Sequence, residues 1–273
     1  MMGSLSWDGQ ARLEREADLE LARASTPSLI LMLDALRESH PLDKHFAALM
    51  AKAYGQYAYG FFEEDLLRFD SKDPKHAEAL NRAQRFYSLG KDAGLKALSQ
   101  KTAFRKGLQG SQDSFERALR SFGKGDVPLL FWTAVCWASD INLHRDDPAS
   151  YIEVPRVSAM MDRVLVLHPS YTHGAAYAFR GVLESSRPPM LGGSPARAKA
   201  SFEKAIAVEP RYLLHKVLFA QFYAVQVQDR ELYERLLHEV RSADTTLFPE
   251  QRLANEIARK RAELLLQQVK RWF

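Results

Sequence analysis

Few side chains in this 273-residue sequence stand in patterns that carry chemistry. The single thiol, Cys136, lies in the apolar run at 129–138 between Trp132 and Trp137. Burial of this kind disfavours the thiolate, so Cys136 reads as a structural thiol and not a nucleophile. One cysteine also excludes an intramolecular disulfide or a multi-cysteine metal centre. Glu63, Glu64 and Asp65 are three adjacent carboxylates, a residue type that can move protons or hold a cation. Neighbours in sequence on a helix point in different directions, however, so the cluster reads as a solvated helix end. The eight histidines are scattered, and His168 and His173 flank Pro169 without the spacing of a helical metal pair. His144-Arg145-Asp146 copies three letters of a kinase catalytic loop, but Tyr151 stands where the metal-binding asparagine belongs. The motifs HExxH, GxxxxGKS/T, GxSxG and GxGxxG are absent. The expectation is a non-enzymatic protein with no cofactor and no metal.

Aromatic residues carry more of the signal. Tyr54, Tyr57, Tyr59, Phe61 and Phe62 crowd one segment and cannot all face a single core. Phe131, Trp132 and Trp137 crowd another, with Asp140 one turn beyond Cys136 on a shared face. A carboxylate placed there needs a partner, a cavity or solvent. Packing explains each ring singly, but together they suit a cleft between helices. Its expected walls are Tyr54, Tyr57, Phe61, Trp132, Trp137 and Asp140.

The elements that must hold these residues are helical. Strand formers are sparse while Ala, Leu, Glu, Arg and Lys abound. The net charge of +4 is spread with both signs interleaved, as in Arg12-Leu13-Glu14-Arg15-Glu16. A nucleic-acid binder shows a concentrated basic stripe, whereas Arg259-Lys260-Arg261 and Lys270-Arg271 read as the solvated face of a terminal helix. The longest apolar runs fall well short of a membrane span. Helices are expected at 6–24, at 27–39 with Thr26-Pro27 as its cap, and at 43–69. Asp73-Pro74 opens another, carrying Ala77, Leu80, Ala83 and Tyr87. Further helices are expected at 111–122, 127–143, 155–168, 170–185, 195–208, 212–227, 229–242 and 249–271. The helix at 127–143 is apolar nearly all round and should have neighbours on several sides.

A repeat runs through these helices. Ala198, Phe202, Ala205 and Pro210 match the second helix of a TPR unit, where small residues admit a close partner and proline stops the helix. Tyr177 and Gly181 serve as the matching first-helix positions, with surplus chain at 186–193. Val157, Met161, Val164 and Pro169 repeat the spacing, and Ser111, Phe115, Ala118 and Gly123 echo it. The expected fold is all-α, with TPR-like helical-hairpin repeats packed as a single α-solenoid or bundle. One domain is expected over 1–273, with 1–5 a flexible N-terminus; an irregular helical bundle is the alternative.

In order and breadth the sequence resembles the T-components of tripartite ATP-independent periplasmic (TRAP) transporters, the TatT-like proteins, over about residues 25–268. The likeness rests on Pro27-Ser28-Leu29, Leu33, Leu36 and Pro41, then Ala53-Tyr54-Gly55-Gln56-Tyr57-Ala58-Tyr59 and 61–65. It continues through Ala83-Gln84-Arg85-Phe86-Tyr87, Gly94-Leu95-Lys96-Ala97-Leu98, and the paired Trp132 and Trp137. Leu191-Gly192-Gly193-Ser194-Pro195 before Ala198 and Arg252-Leu253-Ala254-Asn255 before Ala258, Ala262 and Leu265 complete it. The resemblance implies a periplasmic accessory protein, often lipid-anchored, without enzymatic activity. It implies pairing with a TRAP solute-binding protein and uptake of a small hydrophobic or carboxylate molecule through an internal cleft. A homo-oligomer is compatible with this, and no nucleic-acid partner is expected. Cys136 lies too deep in a helix to be a lipidated residue, so any anchor or export signal is expected of the full-length protein; a cytoplasmic location is the alternative. The competing function is a generic TPR-like scaffold that holds a peptide or protein segment on a concave surface.

Overall fold

The computed structural model describes residues 9–40, 43–144, 148–187 and 193–273. Arg145, Asp146, residues 1–5, Pro41 and the greater part of the 186–193 insertion lie outside the described residues. The chain is all-α, with no strand among the described residues. It divides into two compact units, one formed by Arg23–His168 and the other by Pro169–Phe273 with the chain up to Ala22.

The helix expected at 6–24 is interrupted: 9–14 are helical, the chain breaks at 15–18, and α1 (Leu19–Ser39) then runs through Pro27 instead of starting at it. This corrects the Thr26-Pro27 cap expected from sequence, and the reason is a distant hydroxyl. Proline has no N–H to donate to the carbonyl four residues back. That carbonyl belongs to Arg23, and it accepts a hydrogen bond from the Tyr57 hydroxyl at 3.2 Å. The helix interior therefore tolerates proline because another helix supplies the missing donor.

In the Arg23–His168 unit, α2 (Lys44–Tyr57) is capped by the Asp43 side chain, which accepts from the His45 N–H at 2.7 Å. It continues through a π-helical turn (Ala58–Phe62) into α3 (Glu63–Arg68), so the long helix expected at 43–69 carries one wider turn. In that turn the Glu63 N–H reaches back five residues to the Ala58 carbonyl. Asp73 caps α4 (Pro74–Leu98) through the Lys75 N–H at 2.8 Å, with Pro74 at the first position as expected. Its buried stripe is Ala79, Ala83, Tyr87, Gly90, Gly94 and Ala97; Ala77, expected inside, is exposed. The pair α5 (Thr102–Leu108) and α6 (Gln112–Leu119) follows, with Ser111 capping α6.

The apolar helix α7 (Val127–Leu143) packs against α2, α4 and α8 (Val154–Leu167), which accounts for apolar residues all round it. The approach of α7 to α4 is close enough to require glycine. A Cβ on Gly94 would lie 2.0 Å from Thr133 Oγ1, and one on Gly90 2.6 Å from Cys136 Sγ. On the α2 side a Cβ on Gly55 would lie 3.1 Å from the same sulfur.

In the other unit, α9 (Ala175–Ser185) and α10 (Pro195–Val208) form an antiparallel hairpin. Gly174 faces Val208, Gly181 faces Phe202, and Glu184 meets Arg197 at 3.0 Å, so one helix descends as the other rises. Ala198, Phe202 and Ala205 are fully buried, and α10 stops at Val208, ahead of Pro210. The close neighbour of Gly181 is the Phe202 ring and not Ala198. Next come α11 (Leu214–Leu218), a second π-helical turn (Phe219–Ala224), α12 (Arg230–Ser242), α13 (Arg252–Gln267) and α14 (Val269–Trp272).

The helix expected from 170 begins only at Ala175, because Thr172, His173 and Gly174 all take positive φ, at 46°, 59° and 80°. Two non-glycine residues there, one β-branched, are strained. The His173 carbonyl accepts from Nε2 of His215, a fully buried ring, at 2.9 Å. The His173 ring lies 5.0 Å from both Tyr212 and Phe248. Burial lowers the His215 pKa to about 4 from 6.5, against the favourable His173 carbonyl and Glu209 carboxylate and with the repulsive His173 ring. The folded state thus holds His215 neutral, and the unfolded chain binds the extra proton between those two values. Stability from this residue is complete above pH 6.5 and is lost as pH falls toward 4. We expect the stability difference between the protein and its His215→Gln variant to shrink by about 2–3 kcal/mol from pH 7.5 to 4.5. Urea unfolding at the two pH values measures it, and a pH-independent difference contradicts it.

Candidate functional site

All six residues expected to line a cleft lie in the Arg23–His168 unit, and all are buried. Tyr54, Tyr57 and Phe61 come together on α2 and its π-helical turn. The Tyr57 ring sits 5.3 Å from Phe61, 4.9 Å from Phe62 and 5.5 Å from Phe86 of α4. Tyr54 joins through Phe86, edge-on at 5.5 Å, and Phe62 meets Phe86 at 5.2 Å. Pairs at these distances stabilise beyond their area alone. The wider turn carries one more residue than an α-helical turn, which rotates the following side chains by about 100°. That rotation accompanies the return of Phe62, five residues on, to Tyr57, which regular helical spacing does not provide.

Cations border the rings. The Arg23 guanidinium lies 5.8 Å from the Phe61 centroid and that of Arg82 lies 4.4 Å from Phe62. Phe86 is half-buried and its neighbours Arg82 and Arg85 are exposed, so the cluster reaches the surface on this side of α4. Tyr54 donates to Asp34 Oδ2 at 3.1 Å, and Asp34 also pairs with Arg37 at 3.3 Å. Burial, then the Asp34 charge, pushes the Tyr54 pKa up to about 12, and burial raises that of Tyr57. Both phenols are neutral donors at physiological pH.

Trp132 and Trp137 occupy different sides of α7, with Asp140 between them around the helix. Five residues at helical pitch set the two indoles about 140° apart. Trp137 donates from Nε1 to Glu153 Oε2 at 2.6 Å. Trp132 packs edge-on to Phe131 at 5.1 Å, with the Lys52 ammonium of α2 5.8 Å from its ring centroid. Asp140 pairs with Lys91 of α4, and His144 Nδ1 lies 3.4 Å from its other oxygen. Neither Lys91 nor Phe86 was identifiable as a partner from sequence. The available cue was their place on α4, beside the buried stripe of Tyr87, Gly90 and Gly94.

The acidic cluster differs from the solvated helix end expected of it. Glu64 and Asp65 are buried, and each carboxylate has its own partner. Glu63 accepts from the fully buried Tyr87 hydroxyl at 2.5 Å, Glu64 pairs with Arg68, and Asp65 accepts two bonds from Arg23. The cause is that α3 continues the packed long helix and never leaves the unit. No group of three metal-ligating side chains occurs among the described residues. Cys136 is fully buried with Sγ 3.2 Å from the Ala51 carbonyl, and burial, then Asp140, raises its thiol well above the usual range.

Tyr57 therefore contributes a ring to the cluster and a hydroxyl to α1. We expect Tyr57→Phe to keep the ring packing but leave the Arg23 carbonyl without this donor, at a cost of about 0.5–1.5 kcal/mol in chemical denaturation. An unchanged unfolding midpoint contradicts this role.

Two similarities to known proteins extend over nearly the whole chain. An uncharacterized protein of Treponema pallidum (strain Nichols) is 24% identical over 268 residues, covering 94% of this chain and 81% of that protein. The sequence also matches the family described as TRAP transporter T-component over residues 15–273, which takes in almost all of both units. The chain belongs to the TRAP transporter T-component family.

Proposed function

We propose that this protein is a non-enzymatic accessory component of a TRAP transport system. In this reading it binds the periplasmic solute-binding protein of that system and holds a small hydrophobic or carboxylate molecule beside the aromatic residues of α2 and α7. Family membership over almost the full chain carries the transport role. The ligand reading is supported by the ring cluster, which joins five aromatic residues from two helices and reaches the surface at Phe86 beside Arg82. The non-catalytic reading is supported by the engagement of the reactive groups. Cys136 is sealed in the helix contact, and Glu63, Glu64, Asp65 and Asp140 are each paired. No helix among the described residues is long and apolar enough to cross a membrane.

A second reading, a TPR-like scaffold for a peptide segment, is favoured by one observation. The α9–α10 hairpin seats Phe202 on Gly181, and the α5–α6 pair repeats the arrangement with Ala118 on Gly107, where a Cβ would lie 2.8 Å away. Hairpins built on such small-residue contacts are the units of partner-binding solenoids.

Tyr57→Ala and Trp132→Ala distinguish a ligand site from a plain core. The proposed function predicts weakened affinity for the solute-binding protein or its ligand, with a folded protein in hand. A solid core predicts a void costing on the order of 3–5 kcal/mol. Thermal unfolding and binding measured on both variants decide between them; a large stability loss with unchanged affinity in the folded fraction removes these aromatics from the binding site.

A further inference from the structure

Both signs of charge interleave along the chain, but the positive surplus is gathered in one segment. Residues 96–126 hold seven lysines and arginines against three carboxylates, a surplus equal to the +4 of the whole chain. They cover the last turn of α4, the α5–α6 pair and the turn before α7. Elsewhere in the Arg23–His168 unit cations are matched, as Arg23 is by Asp65, Arg68 by Glu64 and Lys91 by Asp140. Among the described residues, the ion pairs of 96–126 all fall on Asp126, which takes Lys44 at 2.8 Å and Lys101 at 3.0 Å. Arg105, Lys106, Arg117, Arg120 and Lys124 are exposed, and none has a carboxylate partner among the described residues.

Backbone carbonyls hold several of these groups in place. Arg105 donates to the Ser99 carbonyl at 3.2 Å and Lys101 to that of Ser121 at 2.8 Å. From α8, Arg156 reaches the Gly110 carbonyl at 3.1 Å and Arg163 that of Arg120 at 3.3 Å. These carbonyls lie at or just past the C-terminal ends of α4, α5 and α6, and a helix end carries only about half a negative charge. The helix ends therefore position the cations without cancelling them. Beneath the surface Phe104 packs against Phe115 and Phe122, and all three rings are buried. No large hydrophobic side chain between residues 96 and 126 is exposed. A protein partner is held by an apolar centre with charge at its rim, and a single-stranded nucleic acid by stacking on exposed rings. An anionic bilayer needs neither, because it attracts lysine and arginine across its hydrated surface by charge alone.

We propose that the basic surface of the α5–α6 pair docks the protein onto an anionic phospholipid bilayer by charge, without inserting into it. Arg105, Lys106, Arg117, Arg120 and Lys124 supply the attraction. This goes beyond the accessory role proposed above and does not depend on that role or its ligand.

The test is cosedimentation of the full chain with vesicles of phosphatidylcholine, either alone or with about 30% phosphatidylglycerol. Binding is expected to the anionic vesicles only, and raising the salt from about 0.1 M to about 0.5 M should release the protein. The combined variant Lys106→Gln, Arg120→Gln and Lys124→Gln should bind about a hundredfold more weakly. A second variant, Lys199→Gln, Arg241→Gln and Lys270→Gln, loses the same charge from exposed residues of the other unit. It should stay within about threefold of the parent, since charge away from the docked face is screened. If the first variant unfolds early, its three single substitutions are measured instead, each expected to weaken binding about fivefold. Equal binding to neutral vesicles, equal losses in the two variants, or binding that survives the higher salt overturns the proposal. So does tighter binding to a short DNA duplex than to the vesicles. A first variant that keeps its vesicle affinity but loses the solute-binding protein also overturns it, and makes this surface a protein-docking face.

Discussion

The Arg23–His168 unit depends on how closely α4 can approach α7. That distance is set by Gly90 and Gly94, whose missing side chains leave room for Cys136 and Thr133. Neither polar atom in this contact is left without a partner. Thr133 donates to the Leu129 carbonyl of its own helix at 2.6 Å, and the Cys136 thiol lies against the Ala51 carbonyl of α2. At Gly90 and Gly94 the backbones leave no space for a large side chain, and the ring of Tyr87 packs one turn away. The other aromatic residues lie around Phe86 in one direction and at Trp132 and Trp137 on the flanks of α7. The same constraint explains why the chain's single thiol is chemically quiet: a group wedged between three helices has neither solvent nor a base to draw its proton.

A second dependency links the aromatic residues to the fold. Pro27 removes one donor from α1, and Tyr57 replaces it from α2. Arg23, whose carbonyl receives that bond, also sends its guanidinium to Asp65 at the far end of the same long helix. One residue of α1 is therefore tied to both sides of the π-helical turn. A ligand that drew on Tyr57 or Phe61 would act on groups that also hold α1 in place, which is one physical route by which occupancy and conformation can be coupled.

Where a signal was local, the sequence carried it. Asp73-Pro74 announced the start of α4, the all-round apolar character of 127–143 announced an enclosed helix, and Ala198, Phe202 and Ala205 announced a buried face ending before Pro210. What escaped depended on partners far along the chain. Pro27 read as a helix start because its rescue comes from the Tyr57 hydroxyl, 34 residues beyond Arg23, and Glu64 and Asp65 read as solvated although packing encloses them and arginines neutralise them. Crowding in one segment marked Tyr54, Tyr57 and Phe61 as a group, but the pattern could not show the π-helical turn. It also could not show that Asp140 is matched by Lys91, 49 residues earlier. The left-handed run at Thr172–Gly174 left no sequence mark beyond its glycine, since its stabilising bond comes from His215.

Membership of the TRAP transporter T-component family ties the protein to a transport system, and the function proposed for it is to hold partners and not to make or break bonds. Its titratable groups inside the Arg23–His168 unit serve to fix helices, and its distinctive chemistry is aromatic. The most direct test is sedimentation velocity of the full chain mixed with the solute-binding protein of its own TRAP system. The account predicts a faster boundary containing both proteins that saturates as either is increased through the micromolar range. Independent sedimentation of the two proteins across that range, with and without the system's solute, would contradict it.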